Sequence, residues 1–198
     1  MRSNRAAEMH FLIENLGKLR MSAFRFLVEV LRSGAVQGLG LDARPDAWEA
    51  KLGSGYVDDV RKGRMRRDYG LVELSFFKKG ENWQCFEVSL QVHRLAADIS
   101  DIVPSSLIEE YGELESRVRF SDLQVNVTAE GLQVAQISDR GRHLYSRFSV
   151  MESGVIVHVL EADSGDSLRR GDIWSVSLAR DFTARASSDL MRDLRRSP

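Results

Sequence analysis

Apolar residues recur at three- and four-residue spacings over residues 7–33, where Phe11, Leu12, Leu16, Leu19, Phe24, Phe26, Leu27, Val30 and Leu31 predict a helix. Arg32 and Gly34 supply its C-terminal signals. Met21 opens MSAFRFLVEVLRSG and reads as an alternative start, so residues 1–20 are expected to be an N-terminal extension, helical or frayed. In GLGLDARPDAWEAKLGSG, Pro45 pre-sets the backbone for a second, short helix. Trp48 and Leu52 fall on one face of it before Gly53 and Gly55 end it.

From Asp68 the period falls to two. Val72, Leu74 and Phe76 alternate with Glu73 and Ser75, and Phe86, Val88 and Leu90 alternate with Glu87, Ser89, Gln91 and His93. Residues Asp68–Lys78 and Trp83–Arg94 are therefore expected to pair as antiparallel strands across a loop of Lys79, Gly80, Glu81 and Asn82. Leu107 to Val118 has helical spacing with an acidic outer face at Glu109, Glu110, Glu113 and Glu115. The strand pattern then returns at Leu123, Val125 and Val127, at Leu132 and Val134, at Leu144, Phe148 and Val150, at Val155, Val157 and Val159, and around Trp174 at Ile173 and Val176. Turns at Glu130-Gly131, Ser153-Gly154 and Arg170-Gly171 separate these segments.

This order predicts an α+β protein, an antiparallel sheet with helices packed on one face. Residues 21–100 form a helix-helix-hairpin half, 101–185 a helix plus antiparallel meander, and 186–198 a C-terminal tail. Divergence of the two halves from one helix-plus-sheet unit is an open alternative that no internal sequence match supports, and the halves are expected to share one compact domain. No glycine-rich strand-to-helix turn of the dinucleotide or phosphate-loop kind occurs, which argues against a parallel, doubly wound sheet.

Composition narrows the function classes. The 198 residues carry 28 basic and 29 acidic side chains and are 43% apolar, an ordinary globular balance that disfavours a nucleic-acid binder on net charge. Apolar runs fall short of the roughly 18 to 20 residues that cross a bilayer, and charges interrupt the N-terminal apolar positions, so no membrane association and a cytoplasmic location are expected. The single cysteine, Cys85, has no thiol partner and sits in a strand pattern, where a buried structural thiol is expected. The run Arg61, Lys62, Arg64, Arg66 and Arg67 lacks interleaved aromatics and is flanked by Asp58, Asp59 and Asp68, so it reads first as a solvated loop. The histidines His10, His93, His143 and His158 lack zinc-ligand spacing, and no GxSxG elbow accompanies the serines. No catalytic residue, metal ligand or cofactor is assigned.

The segments GLGLDARPDAWEAKLG and RRDYGLVELSFF carry a resemblance, through Leu39, Gly40, Trp48, Leu52, Gly53, Asp68, Tyr69, Gly70, Leu71, Glu73 and Phe76. Over residues 35–95 the chain resembles small immunity-type proteins of actinomycete bacteria. The same stretch is similar to the helix-helix-sheet unit of beta-lactamase inhibitor proteins and of small outer-membrane assembly lipoproteins. The resemblance implies a non-enzymatic binding protein that neutralises a bacterial toxin. The alternating stripe Glu87, Ser89, Gln91 and His93, with Tyr69, Tyr145 and Arg147 as large side chains at its rim, is the expected protein-binding surface. Two alternatives stay open: a small hydrolase or nucleic-acid-processing enzyme using His93, and a homodimeric regulatory or structural subunit.

Overall fold

The computed structural model describes residues 23–97, 102–137, 144–165 and 167–180. The expected extension at 1–20 and the tail at 186–198 lie outside them, as does residue 7–22 of the first expected helix. Helix α1 covers residues 23–33 and is followed by α2 (Pro45–Leu52). Four strands come next: β1 (Val57–Arg61), β2 (Arg64–Asp68), β3 (Val72–Lys79) and β4 (Asn82–Leu90). A 3₁₀ turn, Val92–Ala96, leads to helices α3 (Ser105–Tyr111) and α4 (Phe120–Ala129). The chain then forms β5 (Val134–Ile137), β6 (Tyr145–Val150), β7 (Ile156–Leu160) and β8 (Ile173–Ala179). The fold is α+β, as the sequence order predicts. No helix among the described residues is long and apolar enough to cross a membrane.

All eight strands join one antiparallel sheet in the order β1-β2-β3-β4-β8-β7-β6-β5. Each half of the chain therefore contributes a four-stranded meander, and the halves meet where β4 pairs β8. The register relates them further. Ser75 pairs Glu87 while Phe76 pairs Cys85, so Phe86 is an extra, bulged residue of β4. His158 pairs Ser175 while Val159 pairs Ile173, so Trp174 is the corresponding bulge of β8. Superposing the two bulges makes Ser89 and Ser177 equivalent, and these two residues are paired with each other at the centre of the sheet. The halves are thus related by an approximate two-fold axis passing between Ser89 and Ser177.

One sheet face is covered. Leu74, Phe76, Cys85, Val88, Leu90, Val157, Val159 and Val176 form a single buried cluster with Phe26, Leu27 and Leu31 of α1, Trp48 and Leu52 of α2, Leu107 of α3, and Leu123 and Val127 of α4. The expected shared core of Trp48, Leu52, Val72, Leu74, Phe76, Val88 and Leu90 falls within it. Burying a side chain such as Leu74, fully enclosed, is worth about 2 kcal/mol. The Tyr111 hydroxyl donates to Glu29 at 2.8 Å, and its ring lies 5.1 Å from that of Phe26, which fixes α3 against α1.

Three expectations need correction. Residues 123–127 are helix, not strand: Phe120, Leu123 and Val127 are buried at three- and four-residue spacing, whereas Val125 is 70% exposed. The helix expected over Leu107 to Val118 ends at Tyr111, because Gly112 adopts φ 85° and an extended ψ. The basic run is a hairpin rather than a loop, closed by Lys62 and Gly63, both at positive φ. Its Arg67 lies in the covered face at 5% exposure. Both Asp58 oxygens accept from Arg67, at 2.8 and 2.9 Å, and the guanidinium stacks 3.6 Å from the Tyr56 ring centroid.

Candidate functional site

The other sheet face carries no α-helix among the described residues, and the register assigns its side chains. A row across the strands reads Asp68, Glu73, Ser89, Ser177, Ile156, Ser149 and Ala135, each paired with the next. Short side chains occupy the middle of this row, and larger groups stand on either side of it.

On one side, where the end of the first half meets the strands of the second, four rings come together. His93 stacks on the Trp174 indole with centroids 3.8 Å apart and planes parallel. Tyr145 lies 5.4 Å from Trp174 and meets His158 edge-on at 6.5 Å. Arg147 is paired with His158 across the strands, so its stem leaves the same face. On the other side, in the first half, Phe77 and Phe86 lie 6.1 Å apart, and the Arg64 guanidinium sits 5.7 Å from the Phe86 ring. The two bulges explain why each side has an aromatic there: an extra residue turns the strand locally and brings one more side chain to the surface.

Of the expected binding residues, Glu87 and Ser89 leave this face from β4, while Tyr145 and Arg147 leave it from β6. Glu87 accepts from the Ser75 hydroxyl at 3.0 Å, and the Gln91 amide donates to Ser89 at 3.2 Å. The stripe is not a single strand, however. β4 ends at Leu90, and His93 belongs to the 3₁₀ turn, reaching the face through its stack on Trp174. Tyr69 does not join the surface at all. It is 3% exposed, packed 5.2 Å from Tyr56 in the covered layer, so its expected role as a rim anchor is corrected to a core residue. Its neighbours explain the Asp-Tyr-Gly pattern. The Asp68 carboxylate accepts from the Gly70 amide at 2.8 Å and from Arg94 at 2.8 Å, while a Cβ at Gly70 would meet the Ile102 carbonyl at 2.3 Å.

The charges of the first half neutralise one another. Arg94 reaches Asp68 at 2.8 Å and Glu73 at 3.2 Å, and Arg66 lies 3.9 Å from Glu73. Arg66, Asp68 and Arg94 line one wall of a cleft of about 730 Å³ beside Tyr56.

Burial works against the charged form of both His93 and His158. Burial lowers the pKa of His93 below its ordinary value, the Trp174 carbonyl opposes this, and Arg94 adds to it. The Nδ1 of His93 lies 3.2 Å from that carbonyl, which only accepts, so Nδ1 carries the proton and Nε2 of the neutral ring is an acceptor. Burial likewise lowers His158, reinforced by Arg147 and opposed by Ser175 and Glu87. Burial pushes the Cys85 thiol up to about 12, so it is a packed side chain rather than a nucleophile. No group of three or more potential ligands that could hold a metal ion occurs among the described residues. His158, Trp174, Phe77, Phe86 and Arg64 were outside the sequence-based site. The bulges that present Trp174 and Phe86 show in the apolar pattern only as an odd, three-residue spacing of inward positions, Cys85 to Val88 and Ile173 to Val176.

Comparison with protein-family models, with curated proteins and with solved structures yields no match to this chain.

Proposed function

We propose that the protein binds another protein through the uncovered face of its sheet and, by doing so, neutralises a bacterial toxin. The observation that carries the reading is the four-ring patch of His93, Trp174, Tyr145 and His158 with Arg147, set beside a row of short side chains. Tryptophan, tyrosine and arginine dominate binding energy at protein interfaces, and the two aromatics bury large areas with few rotors to freeze. A sheet surface holds them at fixed spacing, so little ordering is left to the moment of binding. The toxin part of the proposal rests on the resemblance of residues 35–95 to immunity-type and inhibitor proteins.

The test uses the product of the adjacent reading frame as probe, with binding measured by calorimetry and protection measured as growth of cells that express it. Tyr145→Ala and Arg147→Ala are expected to weaken binding about tenfold or more, equivalent to about 1.4 kcal/mol, with the fold retained by circular dichroism. Unchanged binding in both variants refutes the assignment of this face. His93→Ala separates the readings: normal binding with turnover reduced about 100- to 10,000-fold would identify His93 as an acid-base group and the protein as an enzyme.

A further inference from the structure

We infer that the protein forms a homodimer through its first edge strand, β1 pairing antiparallel with β1 of a second copy in a register centred on Val60. β1 is the outermost strand of the sheet and is exposed at every residue. No proline or bulge interrupts its pairing with β2, which runs unbroken from Val57 with Asp68 to Arg61 with Arg64. Such an edge is a template for another strand.

Turn geometry decides which backbone groups face outward. Lys62 at φ 45° and Gly63 at φ 76° close a two-residue hairpin, so the flanking Arg61 and Arg64 exchange hydrogen bonds with each other. By alternation Val57 and Asp59 also bond to β2, whereas Asp58 and Val60 turn their N–H and C=O groups away from the sheet. Val60, 55% exposed, then meets Val60 of the second copy as a pair that exchanges two main-chain hydrogen bonds.

Charge selects the register. Side chains opposite one another must share a face, so a two-fold axis places each residue opposite one an even number of positions away, or opposite itself. Centring on Asp58, Asp59 or Arg61 sets that charge against its own copy, and centring on Val57 runs Asp58 and Asp59 opposite residues 56 and 55, outside the strand. Centring on Val60 sets Asp59 opposite Arg61 of the second copy, and Arg61 opposite its Asp59, in the closely spaced pairs where side chains interact most. Within one chain Arg61 and Asp59 already pair at 2.9 Å, with side-chain exposures of 82% and 47%, so both stand ready at the surface. The interface lies at the end of the sheet and leaves the four-ring patch free. The proposal is therefore independent of the toxin-binding reading.

The test is sedimentation velocity on the full chain across the micromolar range. The parent is expected to dimerise, and more weakly at high salt because the pairs are exposed. Asp59→Arg and Arg61→Asp each set like charges opposite one another and are expected to weaken the dimer about tenfold or more. Mixing the two variants restores opposite charges at both positions and should yield a heterodimer, and the double variant should again form a homodimer. Circular dichroism verifies that each variant is folded. A parent that stays monomeric overturns the proposal. So does a dimer unaffected by either single change, or a mixture of the two variants that does not associate.

Discussion

Replacing Arg67 with methionine tests whether a member of the basic run works inside the protein. Methionine keeps the length of the stem and removes the charge. The change forfeits two hydrogen bonds to Asp58 at 2.8 and 2.9 Å, one to the Pro45 carbonyl at 3.1 Å, and the stack on Tyr56 at 3.6 Å. Breaking a buried ion pair by removing one partner costs about 3–5 kcal/mol, because the other charge is left uncompensated. Two features reduce that figure here. The Asp58 side chain is 28% exposed and recovers some hydration, and burial already works against the Arg67 charge before the hydrogen bonds to Asp58 outweigh it and raise its pKa. The lost stack adds about 1 kcal/mol. The net expectation is a loss of about 3 kcal/mol, which in a domain of this size lowers Tm by about 6–12 °C. Thermal and urea unfolding followed by circular dichroism measure it. Arg66→Met, from a side chain 56% exposed whose partner Glu73 is already held by Arg94, should cost less than about 0.5 kcal/mol. Adding Asp58→Asn to Arg67→Met should recover part of the loss, since no charge is then stranded. If Arg67→Met unfolds within about 0.5 kcal/mol of the parent, the buried pair is not what holds the β1–β2 hairpin against α2, and the reasoning fails.

Tyr69→Ala should destabilise the fold by about 3 kcal/mol, the cost of emptying a buried aromatic site, without changing binding by the uncovered face beyond its effect on the folded fraction. Calorimetry at a temperature where the variant is folded checks both parts. Stability should fall as pH drops from about 7.5 to about 5.5: the folded-state pKa values of His93 and His158 lie below their ordinary value, so the unfolded chain binds more protons through that window. Urea midpoints across this range, compared with those of a His93→Gln/His158→Gln variant, test the sign. A slope as steep in the variant as in the parent would refute the assignment to these two rings.

The parts of the fold legible in the sequence are those where burial alone determines residue type. β3 and β7 alternate because one face enters the core and the other does not, and β4 and β8 follow the same rule on either side of a bulge. α4 does not stand out in the sequence because Leu123, Val125 and Val127 also fit a strand, and only Phe120, three positions before Leu123, completes the helical period. β1 and β2 escaped for a different reason. Their inward positions are filled by Met65 and Arg67, so the alternation is one of environment, and an arginine neutralised by Asp58 is indistinguishable in sequence from one in solvent.

The candidate site depended on a property that periodicity does not encode. Which residues leave one strand on one face follows from alternation, and that much placed Glu87 and Ser89 together, and Tyr145 with Arg147. Which strands lie side by side is set by pairing between distant segments, here β4 with β8, and nothing local in Glu87–Leu90 specifies Val176–Ala179 as its neighbour. The approximate two-fold relation supplies the missing reason. Each half forms a meander whose last strand is an open edge, and pairing β4 with β8 removes both edges at once while joining the two helix layers into one core. The same pairing carries Trp174 across to His93, so the four-ring patch is a consequence of closing the sheet rather than a motif written in either half.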